Sequence, residues 1–251
     1  MYPQPRRVVK ATAPACLPPN TFRVRSESQV KMDSSPERND GFAMAVLVES
    51  GIGLSAIILA WLFGVSLRDQ IAPAGAPLAA AVLRGLVATI PMLVIFWWLV
   101  TSKLPMLQQL REQVEWLVRE MFPGGSVMQF AMVAALAGVG EELLFRGALQ
   151  TKLGAWTTPA VGLLLTSFLF GLAHALSKLY FAFAIVVGAF LGWLALEYHD
   201  LVAPMIAHGL YDFLALAYIS RAVANRKPQD TPKPDSRVEE PRPNQDDSTH
   251  R

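Results

Sequence analysis

The sequence predicts an all-α fold: a polytopic membrane helical bundle of about six transmembrane helices, with one interfacial amphipathic helix. Three observations predict it. Of the 251 residues, 53% are hydrophobic and 17% charged, whereas a soluble globular domain carries about 25% charged residues. The charges are also unevenly spread, because residues 1–42 and 221–251 hold 24 of the 42 acidic and basic residues and 11 of the 18 prolines. Between these tails, apolar runs recur at the length of roughly 20 residues that crosses a hydrocarbon core.

The resulting plan has a basic, proline-rich tail over 1–41, a membrane domain over 42–220 and a polar tail over 221–251. The last mixes both charges with Pro, the composition of a disordered chain. The first 26 residues carry Arg6, Arg7, Lys10, Arg23 and Arg25 but no acid. That resembles an organelle transit segment, and a disordered basic tail fits equally well. The expected location is an organelle membrane on the first reading and a cell membrane, for a bacterial protein, on the second. A net charge of +2 without interleaved basic and aromatic residues argues against nucleic acid as a partner. The single cysteine, Cys16, excludes an intrachain disulfide and a thiolate metal cluster.

The first span is expected over 42–65. The second covers 77–100, with Arg84 as its only charge and Pro91 as an expected kink. Residues 104–122 differ. Leu104, Leu107, Leu110, Val114, Leu117 and Met121 recur at helical spacing between Gln, Arg and Glu, and with Trp116 they suit a helix lying in the interface. A third span runs over 126–154. The fourth starts at the cap Thr158-Pro159 and is expected to reach residue 177. The fifth covers 180–197 and contains Gly188-x-x-x-Gly192, which permits close helix contact. The sixth follows a cap at Asp200 and ends near 220. With both tails on the cytoplasmic side, most Lys and Arg residues fall inside, as the positive-inside rule favours.

Ionisable groups at the bilayer centre cost about 2.5–3.5 kcal/mol each on insertion scales, so their presence requires a reason. They concentrate in the last four spans. Glu142 and Arg146 stand i,i+4 with the acid first, the favourable order, and read as a structural ion pair. Glu141 points about 100° away from that pair and has no local partner, while Gly138 and Gly140 thin the helix beside it. Phe170 and His174 are i,i+4, as are His208 and Asp212. A carboxylate near two imidazoles can act as a general base on water, and the imidazoles can hold that water or steady an oxyanion. Alternatively, Glu141, His174 and His208 would bind a divalent metal such as zinc. Either scheme hydrolyses a peptide or amide bond. Counting from a loop near Gly154 sets Glu141 and His174 about 10 Å apart in depth, so tilt or a buried loop must bring them level.

EExxxR, FxxxH and HxxxD, in this order on successive apolar spans, resemble the CPBP family, also called ABI. That family includes the type II CAAX prenyl endopeptidases and bacteriocin-processing or immunity proteins. The resemblance covers residues 126–220. It implies an intramembrane endopeptidase, described in the family both as a metalloprotease and as a glutamate-dependent protease. It implies Glu141 as the base that activates water, His174 as its second holder, His208 and Asp212 as the oxyanion site, and Glu142 with Arg146 as the supporting pair. Asp212 stands where many members carry Asn, and Asp donates to an oxyanion only when protonated. The implied partners are the lipid bilayer and a membrane-embedded or lipidated peptide or protein, prenylated CAAX substrates among them. Two other readings stay open at this point: a non-proteolytic membrane scaffold, chaperone-like or immunity protein, and a small proton-coupled transporter.

Overall fold

A computed structural model describes residues 40–71 and 77–225 of the chain. The tails read from the sequence, with Cys16 and the basic segment, lie outside the described residues apart from their inner edges. Every regular element among the described residues is helical. α1 spans Asp40–Phe63, α2 Leu67–Ile71, α3 Leu78–Thr101, α4 Pro105–Met121 and α5 Val127–Glu142. α5 passes without a break through a π-helical segment, Leu143–Gln150, into α6, Thr151–Trp156. α7 (Pro159–Ala173), α8 (Lys178–Tyr198) and α9 (Val202–Ala224) follow.

The protein is an integral, multi-pass membrane protein. Five stretches are long and apolar enough to cross a bilayer: α1, α3, the continuous Val127–Trp156, α8 and α9. The helix expected over 158–177 is shorter than its sequence suggests. α7 has 15 residues and stops at Ala173, so it rises about 22 Å. The reason is local: His174 already leaves the helical region, at φ −108 and ψ 19. Ser177 then accepts the N–H of Tyr180 at 3.3 Å as the cap of α8, a role serine favours over helix interiors.

Side chains also close the starts of other helices. Ser126 and Gln129 form a reciprocal capping box at α5, and Thr158 accepts the N–H of Val161 before Pro159 at α7. Asp200 accepts the N–H of Ala203 at 2.8 Å. It also meets Arg84 at 3.5 Å, while that guanidinium lies 4.5 Å over the ring of Tyr198. The one charge of the second span is thus matched at the α8–α9 corner. Pro91 lies inside an uninterrupted α3. α2, a single short turn, has no signal in the hydrophobic pattern; it is tied down where Leu201 donates to the Gln70 carbonyl at 2.9 Å.

Direction follows from paired contacts. α1 runs parallel to α5 and α6, with Gly53 beside Gly140 and Lys152 donating to the Phe63 carbonyl at 2.8 Å. α3 runs parallel to α9, with Gly85 against Ala203 and Ile206 and Phe96 edge-on to Tyr211 and Tyr218. α9 crosses α5 antiparallel, and the two meet at glycines: a Cβ on Gly138 would come within 2.7 Å of the Gly209 nitrogen. Only a bare backbone allows that approach, the small-residue solution to packing in lipid. α4 buries Leu107, Leu110 and Val118 on one face and leaves Trp116 exposed, the two-sided character of an interfacial helix.

Candidate active site

The glycine crossing brings the end of α5 against the first turns of α9, and the polar residues of both helices meet there. Glu142, fully buried, uses one oxygen for two partners. Its Oε1 accepts from Arg146 Nη1 at 2.8 Å and pairs with His208 Nδ1 at 2.8 Å. Arg146 is buried as well and donates from Nη2 to the Gly188 carbonyl at 2.9 Å. One turn on, Gln150 donates to the Gly192 carbonyl at 2.9 Å. Both links join residues 42 apart in the chain. The Gly188-x-x-x-Gly192 step therefore exposes two carbonyls in register with a polar stripe on the facing helix.

Glu141 is placed differently. It is 5% exposed, and its Oε2 has no hydrogen-bond partner among the described residues. It faces His174, whose Nε2 lies 3.6 Å from Oε2, beyond direct hydrogen-bond length. The opposite nitrogen of that ring, Nδ1, faces the Phe170 carbonyl at 2.9 Å. A carbonyl only accepts, so Nδ1 carries the proton and Nε2 of the neutral ring is an acceptor. Glu141 and His174 thus present two acceptors to one small space.

The depth difference expected from the sequence closes because the turn lies later than residue 154. The helix begun at α5 runs on to Trp156 and α7 starts at Pro159. Glu141 and His174 then stand equally far from that turn, and the short α7 ends at their common level.

His208 Nε2 faces Asp212 Oδ2 at 3.4 Å, so both ring nitrogens of His208 lie against carboxylates. Phe170 separates the two imidazoles. It stacks on His174 with centroids 4.4 Å apart and 25° between planes, stands edge-on to His208 at 5.8 Å, and lies 4.5 Å beneath the Arg146 guanidinium. His174, His208 and Asp212 line one cavity of about 80 Å³ together with Phe170, Tyr180 and Tyr211.

The donor set does not suit a metal held by Glu141, His174 and His208. Both nitrogens of His208 face carboxylates, at 2.8 Å and 3.4 Å, an environment that favours N–H groups on both sides over a lone pair offered to an ion. Among the described residues, no group of three or more His, Cys, Asp or Glu is arranged to hold one.

The structure brings Glu141, Glu142, Arg146, Phe170, His174, His208 and Asp212 to one place. It also adds groups that motif spacing did not single out. Glu49 of α1 lies within electrostatic reach of Asp212 and His208, with its Oε2 buried and without a hydrogen bond among the described residues. The signal was present, since Glu49 is an acid inside an apolar run. Tyr180, Tyr211 and Gln150 gave no comparable signal, being ordinary residues of apolar helices.

Fold and site together define a polytopic helical membrane protein with a carboxylate–imidazole centre inside the bundle. Residues 123–214 match the family model described as Type II CAAX prenyl endopeptidase Rce1-like. The matched stretch contains every residue of the centre except Glu49, and it supports a relation to the CAAX protease family. No curated protein and no solved structure matches the chain.

Proposed function

We propose that this protein is an intramembrane endopeptidase that hydrolyses peptide bonds of membrane-associated substrates with a water activated by Glu141. The observation that carries the reading is the Glu141–His174 pair, two acceptors 3.6 Å apart beside a cavity lined by His208 and Asp212. One water can donate a proton to each acceptor while its lone pair points at a carbonyl in the cavity. As the water oxygen bonds to the carbonyl carbon, Glu141 takes a proton and the carbonyl oxygen becomes an oxyanion. Collapse breaks the C–N bond, and the proton held by Glu141 passes to the leaving amine. His208, oriented by Glu142 and Asp212, offers an N–H to the oxyanion.

The surroundings support an apolar or lipid-bearing substrate. A groove of about 210 Å³ between α3, α4 and α9, with Phe96, Leu99, Leu110 and Val114 in its walls, meets the small cavity at Tyr180, Phe183, Tyr211 and Asp212. A membrane-anchored segment, prenylated CAAX peptides included, fits such a path. The test is cleavage in liposomes of a panel of membrane peptides, with prenylated members, by wild type, Glu141→Gln and His174→Ala. Cleavage by wild type that both variants lose supports the reading. Cleavage that survives Glu141→Gln removes the base, and a folded wild type that cleaves no member favours a scaffold.

A further inference from the structure

An oxyanion is stabilised by N–H or O–H groups about 2.7–3.1 Å from it, and the polar groups lining the cavity are few: His174, Tyr180, His208, Tyr211 and Asp212. Asp212 as a carboxylate has nothing to donate. His174 spends its N–H on the Phe170 carbonyl. His208 spends Nδ1 on Glu142 and shares Nε2 with Asp212. The peptidase reading therefore leaves the oxyanion with one shared donor, unless a phenol contributes.

We propose that the hydroxyl of Tyr180 is a catalytic donor to the oxyanion formed at the scissile carbonyl, an inference that rests on the peptidase reading above. Neither Tyr180 nor Tyr211 makes a hydroxyl hydrogen bond among the described residues. The two are not equivalent. The Tyr211 ring is fixed edge-on to Phe96 at 6.1 Å and packs on the cluster of Ala88, Met92 and Leu191. The Tyr180 ring stands 6.4 Å from that of His174, and its phenol is within electrostatic reach of Asp212 and Glu141 together. Its position is set by the corner that sets His174: α7 stops at Ala173, and Ser177 caps α8 through the Tyr180 N–H. As water attacks, the carbonyl π pair moves onto oxygen and the Tyr180 O–H hydrogen-bonds to it without giving up its proton. When the C–N bond breaks the pair returns to the carbonyl, and the hydroxyl is freed unchanged.

The test is steady-state cleavage in liposomes by Tyr180→Phe and Tyr211→Phe, with binding of a peptide phosphonate that mimics the tetrahedral intermediate. Tyr180→Phe is expected to lower kcat about 10²-fold with KM nearly unchanged and to weaken the phosphonate while leaving ground-state peptide affinity intact. Tyr211→Phe is expected to lower kcat by less than tenfold. A Tyr180→Phe enzyme with wild-type kcat, or one that loses peptide and phosphonate affinity equally, overturns the proposal and leaves the peptidase reading standing. A wild type that cleaves nothing overturns both. The phosphonate arm needs only folded protein, so it separates a lost donor from lost structure.

Discussion

Glu142 and His208 lie 66 residues apart in the chain and share a 2.8 Å hydrogen bond inside the bundle. Because Arg146 donates to the same oxygen, this carboxylate ties α9 to the polar stripe of α5 and α8. Its neighbour Glu141 makes no hydrogen bond through Oε2. Two adjacent glutamates of one helix therefore have opposite expected phenotypes.

Glu142→Ala leaves a buried guanidinium and a buried imidazole without their acceptor, and it is expected to lower stability by about 3–5 kcal/mol. Glu141→Gln removes no hydrogen bond and is expected to unfold at or above the wild-type midpoint while losing cleavage. Denaturant titration in detergent reads both. Equal destabilisation by the two variants would contradict the division of roles.

The α5–α9 crossing predicts a sharp size dependence. Gly138→Leu is expected to abolish the monodisperse folded peak in size-exclusion chromatography, because its Cβ alone meets the Gly209 backbone. Gly51→Ala, which faces open space, is expected to elute as wild type. A tolerated Gly138→Leu would show that the helices do not cross there.

The groove under α4 predicts a change in KM. Val114→Trp fills part of its wall and is expected to raise KM several-fold for a peptide with an apolar tail. A short peptide without that tail is expected to keep its KM, and equal effects on both would argue that the groove holds no part of the substrate.

The engagement of both His208 nitrogens by carboxylates predicts that cleavage persists in saturating EDTA or 1,10-phenanthroline. Activity lost to chelator and restored by zinc would mean that His208 turns away from Asp212 to bind an ion.

Much of the fold was legible because its signals are local. Thr158 caps α7 and Asp200 accepts an N–H in the first turn of α9, where the sequence places caps, and i,i+4 spacing pairs Glu142 with Arg146 and His208 with Asp212. What escaped depends on contacts across helices. The apolar pattern extends α7 to about residue 177, since nothing in it marks an earlier stop. The helix ends at Ala173 because Ser177 serves as the cap of its successor. The spacing of Glu142 and Arg146 suggested a self-contained pair. His208 joins them only once Gly138 and Gly209 let α5 and α9 touch. Gln150 was unremarkable until α8 supplied the Gly192 carbonyl that it meets.

The brevity of α7 also gives the lipid a say in the chemistry. A helix rising about 22 Å is shorter than a hydrocarbon core about 30 Å thick, so with Pro159 at one acyl–headgroup boundary the corner from His174 to Ser177 lies short of the other. Irregular backbone at that depth persists only where protein or a water-filled cavity surrounds it. Neighbouring lipids meet a local hydrophobic mismatch, which they relieve by thinning, at a cost of fractions of a kcal/mol per Å. Because His174 opens that corner, the peptidase reading makes acyl-chain length a control on how wet the proposed centre is.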